Sequence, residues 1–329
     1  MTRLASVRSN SRDGRLVVVS RDGRRYLPGP VPTMQVAFEQ LDQLGRRLSA
    51  IVAALDAGEG ELLDNATLMA PLPRAFQYCE GSTYLSHMER NRAARNAPLP
   101  PGHGTDPAVL QGHSDRFLGC REPLLLGDPE WGLDLEATVA VIVGDVPMGV
   151  SAADASACIR AVVLLNDMTL RNVIPGEYAK GTGFFQAKPQ RAFAPLAVTT
   201  DGLGAAWDGR LLDAEVRTWA NGELLGTLRT AVDTAFDFPD IIAYAARTRP
   251  LAAGTIVGSG TISNRDPSAG FGCLAEKRAL EILGGQPPSR YLQGGDTVRI
   301  EAFAADGMSL FGAMETRIID AAADRQSRL

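Results

Sequence analysis

The apolar stretches of this chain are strand-length and heavily punctuated. Val139–Val143 and Ala161–Leu165 run for five residues each, far below the roughly 18 that a membrane-spanning helix needs. The 34 glycines and 20 prolines recur along the whole chain, so the backbone must turn often, which excludes a long coiled coil and disfavours a helical bundle. At 45% hydrophobic and 22% charged over 329 residues, one large domain or two moderate ones can bury a sizeable core. The formal net charge of -5 offers no overall basic field, so neither nucleic acid nor a membrane is expected as a partner. The opening text MTRLASVRSNSRDGR has charge but no long apolar stretch behind it, which points to the cytoplasm. Cys79, Cys120, Cys158 and Cys273 form no CxxC pair and read as reduced thiols.

Turn formers at Ser11, Asp13, Gly14, Asp22 and Gly23 around the run Leu16–Val19 predict a small hairpin. Thr33 can cap a helix in which Phe38, Leu41, Leu44, Leu48, Ile51 and Leu55 recur at steps of three and four until Gly58. The text APLPRAF then reads as a linker, dividing the chain into a small unit over 1–74 and a larger one over 75–329. In the larger unit strands are expected at 137–143, 161–165, 212–219, 255–257, 297–303 and 312–319. Helices are expected from Ser151 through Arg160 and from Asp237 to about Thr248. Strands do not alternate strictly with helices and no glycine-rich phosphate fingerprint appears, so the expected fold class is α+β, strand-rich, not a doubly wound parallel sheet.

Chemistry-bearing residues gather in five places. In WGLDLEATVAVIVGD, Asp134, Glu136 and Thr138 fall two apart and share one strand face, with Leu133, Leu135, Ala137 and Val139 on the other. In LLNDMTLRN, Asp167 closes an apolar run and Arg171 follows on a turn; it either meets a partner or caps the turn. Lys188 is alone in GFFQAKPQRAF, after Tyr178, placed to bind an anion or to snorkel. His87 lies seven residues after Glu80 in EGSTYLSHMERNR, whereas His103 and His113 sit in loop text. GTIVGSGTISN sets Gly258, Ser259, Gly260 and Thr261 after a strand, with Glu276 downstream in LAEKR; the glycines allow close backbone approach to a ligand.

In this order, EGSTYLSH, LDLEATVAVIVGDVPMG, LLNDMTLRNVIPGEYAKGTGFFQAKP, GTIVGSGTISN and LAEKR resemble the fumarylacetoacetate hydrolase family over most of residues 76–315. The resemblance implies a mixed β-roll-like catalytic domain behind a small N-terminal β-containing domain, usually as a homodimer. It also implies a divalent cation, Mg2+ or alternatively Mn2+ or Ca2+, that chelates a 1,3-diketone or 2-oxo acid before carbon–carbon cleavage through an enolate. By the same resemblance Glu80, Glu136 and Asp167 are metal ligands, with Asp134 and Thr138 as further candidates beside them. His87 is the base, Glu276 its orienting carboxylate, and Lys188 a contact to substrate oxygen or metal site. Arg171, Tyr178, Ser259, Gly260, Thr261 and Tyr84 fall at substrate-contact positions.

This chain departs from the pattern at several of these positions. Thr138 stands where the family's E-x-E pair has its second glutamate, Glu80 is one methylene longer than the usual aspartate, and Ser82 replaces a tyrosine for which Tyr84 is a displaced substitute. Losing one anion weakens a divalent site. Three functions follow as alternatives: hydrolytic carbon–carbon cleavage of a fumarylacetoacetate- or acylpyruvate-type acid, another enolate reaction (decarboxylation, isomerisation, dehydration or cyclisation), or metal-free binding without turnover.

Overall fold

The computed structural model describes residues 2–181 and 183–322. Among them the chain is α+β and strand-rich. An 11-stranded sheet runs from Glu61–Leu62 through Arg25–Pro28, Arg15–Val19, Arg3–Val7, Ala197–Thr199, Ile159–Asn166, Ala137–Val143, Ile256–Thr261 and Tyr78–Gly81 to Val109–Gly112, with Ala192–Phe193 added on Ile159–Asn166. A five-stranded sheet is built from Glu223–Arg229, Glu215–Ala220, Thr297–Phe303, Met314–Asp320 and Leu124–Leu126.

The expected hairpin is larger than its turn signals suggested. A third strand, Arg25–Pro28, pairs on Arg15–Val19, and Arg3–Val7 pairs with Ala197–Thr199 (Arg3 opposite Val198), so the N-terminal strands extend the large sheet. Helix Met34–Asp56 begins as expected, with Thr33 Oγ1 accepting from the Val36 amide at 3.3 Å. Its Met34, Phe38, Leu44 and Leu48 cover one face of that sheet.

Strand Ala137–Val143 shows how period two organises the interior. Ala137, Val139, Val141 and Val143 enter one apolar core, while Ala140 and Ile142 enter another on the opposite face, beneath the N-terminal helix. A strand buried on both faces reads as a nearly continuous apolar run, and this one is interrupted by Thr138 alone.

The helix expected through Arg160 stops early: Ala152–Ala155 is helical, one tight turn follows, and Ile159 opens an eight-residue strand. Ladder pairing of Ile159–Asn166 with Ala137–Val143 outweighs the local helical preference. The strand expected from Leu212 starts at Glu215, and the one expected from Gly312 starts at Met314, because Gly312 adopts φ +77°. The Asp237 helix forms over Phe238–Ala245 with a reciprocal capping box between Asp237 and Asp240.

Candidate active site

A cavity of about 500 Å³ opens at the end of the large sheet, between helices Leu85–Ala93 and Leu274–Leu283. It collects Glu80, Glu136, Lys188, His87, Arg171, Tyr178, Gly260 and Thr261 from segments far apart in the chain. Glu80 comes from the Tyr78–Gly81 strand, Lys188 from a loop, and His87 from the first of the two helices.

The centre of one wall is the Lys188 ammonium. Its Nζ lies 2.6 Å from Glu136 Oε2, 2.6 Å from Asp167 Oδ2 and 3.8 Å from Glu80 Oε2. The other oxygen of each acid is held from behind. Arg171 binds Glu136 Oε1, Arg191 pairs with Asp167 Oδ1, and the Thr138 hydroxyl donates to Glu80 Oε1 at 3.3 Å. Three carboxylates therefore turn one oxygen each toward a single cationic position.

These groups are buried, so their charge states depend on one another. Burial alone would raise the Glu136 carboxyl, yet Arg171 and Lys188 pull it below the usual carboxylate range. Asp167 is likewise lowered, with Arg191 and Lys188 overriding burial. Glu80 goes the other way: burial and the Asp167 charge raise it well above that range, only partly offset by Lys188. Lys188 is held above its ordinary value, because Asp167 and Glu136 outweigh burial.

Arg191 was not singled out by the sequence reading. It is 0% exposed and its guanidinium carbon stacks 4.1 Å from the Tyr78 ring centroid. Gly112 leaves room for it, since a Cβ there would meet Arg191 Nη2 at 2.3 Å. An arginine in the apolar text QRAFAP was the available signal, because a buried guanidinium requires a carboxylate.

His87 forms the second constellation. Its Nδ1 is 2.7 Å from Glu276 Oε1, while Glu276 Oε2 accepts from Arg90 Nη1 at 2.7 Å and Ser263 Oγ at 2.9 Å. Glu276 is buried, yet the bonds from His87, Arg90 and Ser263 keep it lowered against the effect of burial. The dyad thus holds one imidazole nitrogen on a fixed anion and leaves the ring's other edge at the cavity. Arg90 was also missed, although it sits three residues after His87 on one helix face.

Four expected positions need correction. Asp134 does not line the cavity: it accepts from the Leu274 and Ala275 amides at 2.7 and 3.0 Å and from Arg171 Nε at 2.9 Å. It thereby caps the helix that carries Glu276, leaving it no role as a metal ligand. The alternation itself holds, since Arg171 binds both Asp134 and Glu136 while Leu133, Leu135, Ala137 and Val139 enter one core, but Leu133–Asp134 pairs with Thr169–Leu170, apart from the ladder starting at Ala137. The Thr138 hydroxyl is spent on Glu80. The Tyr84 hydroxyl donates to the Thr230 carbonyl at 2.6 Å, and Ser259 Oγ donates to its neighbouring Gly260 carbonyl at 2.8 Å. Both face a separate crevice with Thr83 and Phe238. A β-bulge between Gly258 and Thr261 accounts for the split, bringing Gly260 and Thr261 to the cavity without Ser259. Gly260 has φ +83° and a Cβ there would meet Gly81 O at 2.3 Å, so only glycine fits.

The rest of the lining is apolar on one side, with Met88, Val109, Leu110 and Phe184, and basic on the other. Arg92 and Arg95 donate to the Pro98 and Asn91 carbonyls, and Arg278 stacks on Tyr291. None of the three forms an ion pair with a carboxylate among the described residues. Burial and the neighbouring Arg92 lower Arg95. Glu177 accepts from the Phe185, Gln186 and Ala187 amides at 3.0, 2.7 and 3.1 Å, which secures the loop bearing Phe184 and Lys188.

Glu80, Glu136 and Asp167 are oxygen donors of the kind a hard divalent cation takes, with Glu136 and Asp167 held anionic, Glu80 held toward its neutral form, Lys188 at the position between them, and Thr138 where a fourth acid would stand.

Comparison with known proteins places this geometry in context. The family model described as fumarylacetoacetate (FAA) hydrolase C-terminal matches residues 77–319, and that described as fumarylacetoacetase N-terminal domain 2 matches residues 2–74. Oxaloacetate tautomerase YisK of Bacillus subtilis is 25% identical over 241 residues, 72% of this chain and 70% of that protein. A probable 2-hydroxyhepta-2,4-diene-1,7-dioate isomerase from Mycobacterium abscessus superposes with a TM-score of 0.68 at 21% identity, covering 97% of this chain and 98% of that one. Maleylpyruvate hydrolase from Sphingobium sp. SYK-6, solved with manganese(II) and pyruvate, gives a TM-score of 0.65 at 20% identity over 97% of this chain and 99% of that one.

Proposed function

This chain belongs to the fumarylacetoacetate hydrolase family, and from that premise we propose that it is an enzyme cleaving a carbon–carbon bond in a small β-diketo or 2-oxo acid through an enolate. The observation that carries the reading is the pairing of two constellations on one cavity: Lys188 with Glu80 and Glu136 at the wall and Asp167 buried behind them, and a carboxylate-held imidazole.

Glu80, Glu136 and Asp167 would hold a divalent cation, Mg2+ or Mn2+, which when bound polarises carbonyl oxygens and stabilises enolate charge. The manganese in the maleylpyruvate hydrolase structure supports this assignment. Arg171 and Arg191 keep Glu136 and Asp167 ionised and fix their orientation. With its proton on Nδ1 toward Glu276, His87 offers a lone pair at Nε2 to a water in the cavity. The hydroxide formed adds to the substrate carbonyl, the carbon–carbon bond breaks, and the imidazolium returns its proton to the carbon that leaves as an enolate. Thr261 and the Gly260 backbone lie at the wall to receive a substrate carboxylate. Arg92 and Arg95 favour a substrate with a second anionic group. A homodimer is the assembly that the family resemblance supports.

A second reading has its own support in the 25% identity to an oxaloacetate tautomerase. There the same His87 moves a proton between carbon and oxygen with no water consumed. NMR of products from acylpyruvates, fumarylacetoacetate-type acids and oxaloacetate separates the two: new carboxylic acid products mark cleavage, and accelerated keto–enol exchange without them marks tautomerisation. Both readings expect His87→Asn to lose turnover by about 10²–10⁴-fold and Glu136→Gln to lose Mn2+ binding. Full turnover in Glu136→Gln sinks both.

A further inference from the structure

Cys273 has no part in the chemistry above, yet it sits beside the imidazole that does. Its Sγ is 3.7 Å from His87 Nδ1, and the same nitrogen is 2.7 Å from Glu276 Oε1. Among the described residues, this is where three His, Cys or carboxylate ligand atoms all lie within 4.8 Å of one another.

A four-coordinate Zn2+ with bonds of about 2.3 Å to sulfur and 2.0 Å to nitrogen sets those two atoms about 3.5 Å apart. The observed separation is close to that, and Glu276 Oε1 needs to open from Nδ1 by about 0.6 Å, to the roughly 3.3 Å of a tetrahedral N–Zn–O pair. The second Glu276 oxygen stays with Arg90 and Ser263. Cys273 and Glu276 are fully buried, whereas the His87 side chain is 16% exposed on the cavity, so an ion held at Nδ1 sits on the buried side of the imidazole, behind the edge that faces the cavity. Burial, Asp134 and Glu276 hold the Cys273 thiol well above its ordinary value. The carboxylates that oppose a free thiolate attract a cation, and Arg171, which also faces the sulfur, is already neutralised by Asp134 and Glu136.

We propose that His87, Cys273 and Glu276 form an inhibitory site for a thiophilic divalent cation such as Zn2+, separate from the Glu80–Glu136–Asp167 oxygens. Coordination takes the thiolate sulfur, the Nδ1 lone pair and Glu276 Oε1. The thiol proton leaves to solvent, and the imidazole's single proton moves to Nε2 with no change of oxidation state. His87 then presents an N–H where a base needs a lone pair. This blocking step, but not the binding, rests on His87 being the base proposed above.

Co2+ is the probe, added to the whole chain with Mg2+ in excess to occupy the oxygen site. The expected result is a sulfur-to-cobalt charge-transfer band at one equivalent, displaced by Zn2+, absent in Cys273→Ser and Cys273→Ala, and retained in Cys158→Ser. Turnover should fall in step with the band, and Cys273→Ser, with turnover near that of the unaltered chain, should need at least tenfold more Zn2+ for the same inhibition. No band, or a band that survives loss of Cys273, overturns the site. A Cys273-dependent band with turnover untouched upholds the site and overturns His87 as the base.

Discussion

Arg191 and Asp167 are both fully buried, and the arginine takes the one Asp167 oxygen that Lys188 does not. Removing one partner of such a pair strands a charge where water cannot reach it. Arg191→Met should therefore destabilise the chain by about 3–5 kcal/mol, measured by urea unfolding. Pairing it with Asp167→Asn should recover part of the loss, and an unchanged midpoint in Arg191→Met would show that Asp167 does not depend on it.

Thr138 stands beside Glu80, where a fourth acid would face the same cationic position. Thr138→Glu should bind Mn2+ at least tenfold more tightly by electron paramagnetic resonance titration, because an added anion strengthens a hard-cation site. In chelator the same variant should melt lower, since the new charge is buried without a partner. Unchanged Mn2+ affinity would place position 138 outside the ion's reach.

Arg95 has a carbonyl partner but no carboxylate, and Arg92 and Arg171 add like charge nearby. For a substrate with two carboxylates, Arg95→Ala should raise KM roughly tenfold to a hundredfold, the loss of one charge-assisted hydrogen bond, with kcat nearly unchanged. A monocarboxylate substrate should be almost indifferent to the change. Equal effects on both substrates would exclude a distal anion contact at Arg95.

Glu80 is held well above the carboxylate range in the folded chain by burial and by Asp167. A raised carboxyl costs nothing below its unfolded pKa, and its penalty grows as pH rises toward the folded value. In chelator, Glu80→Gln should match the unaltered chain near pH 4 and become progressively more stable than it from pH 5 to 8, by at most about 1.4 kcal/mol per pH unit. Thermal melts across that range decide it; a gap that narrows with pH would mean that Glu80 is ionised and well paired.

Much of this was readable from local text. The doubly buried strand at 137–143 announced itself by the apolar run Val139–Val143, and Thr33 and Asp237 marked their helices through side chains that bond only a few residues on. The Ser151 cap was equally readable, but not where its helix would end, because Ile159 is taken by a ladder with residues far away in sequence.

The sequence by itself determined the strand-rich class, the residue types available for chemistry, and the acid missing at Thr138. Tertiary structure alone decided how those residues are used. Asp134 caps a helix 140 residues away, Tyr84 turns to Thr230, a bulge separates Thr261 from Ser259, and Arg191 and Arg90 arrive to hold Asp167 and Glu276. The reason is the range of the forces involved. Capping and hydrophobic periodicity act over a few residues and leave a local trace, whereas pairing buried charges depends on which side chains folding brings within about 3 Å, and spacing along the chain does not encode that distance.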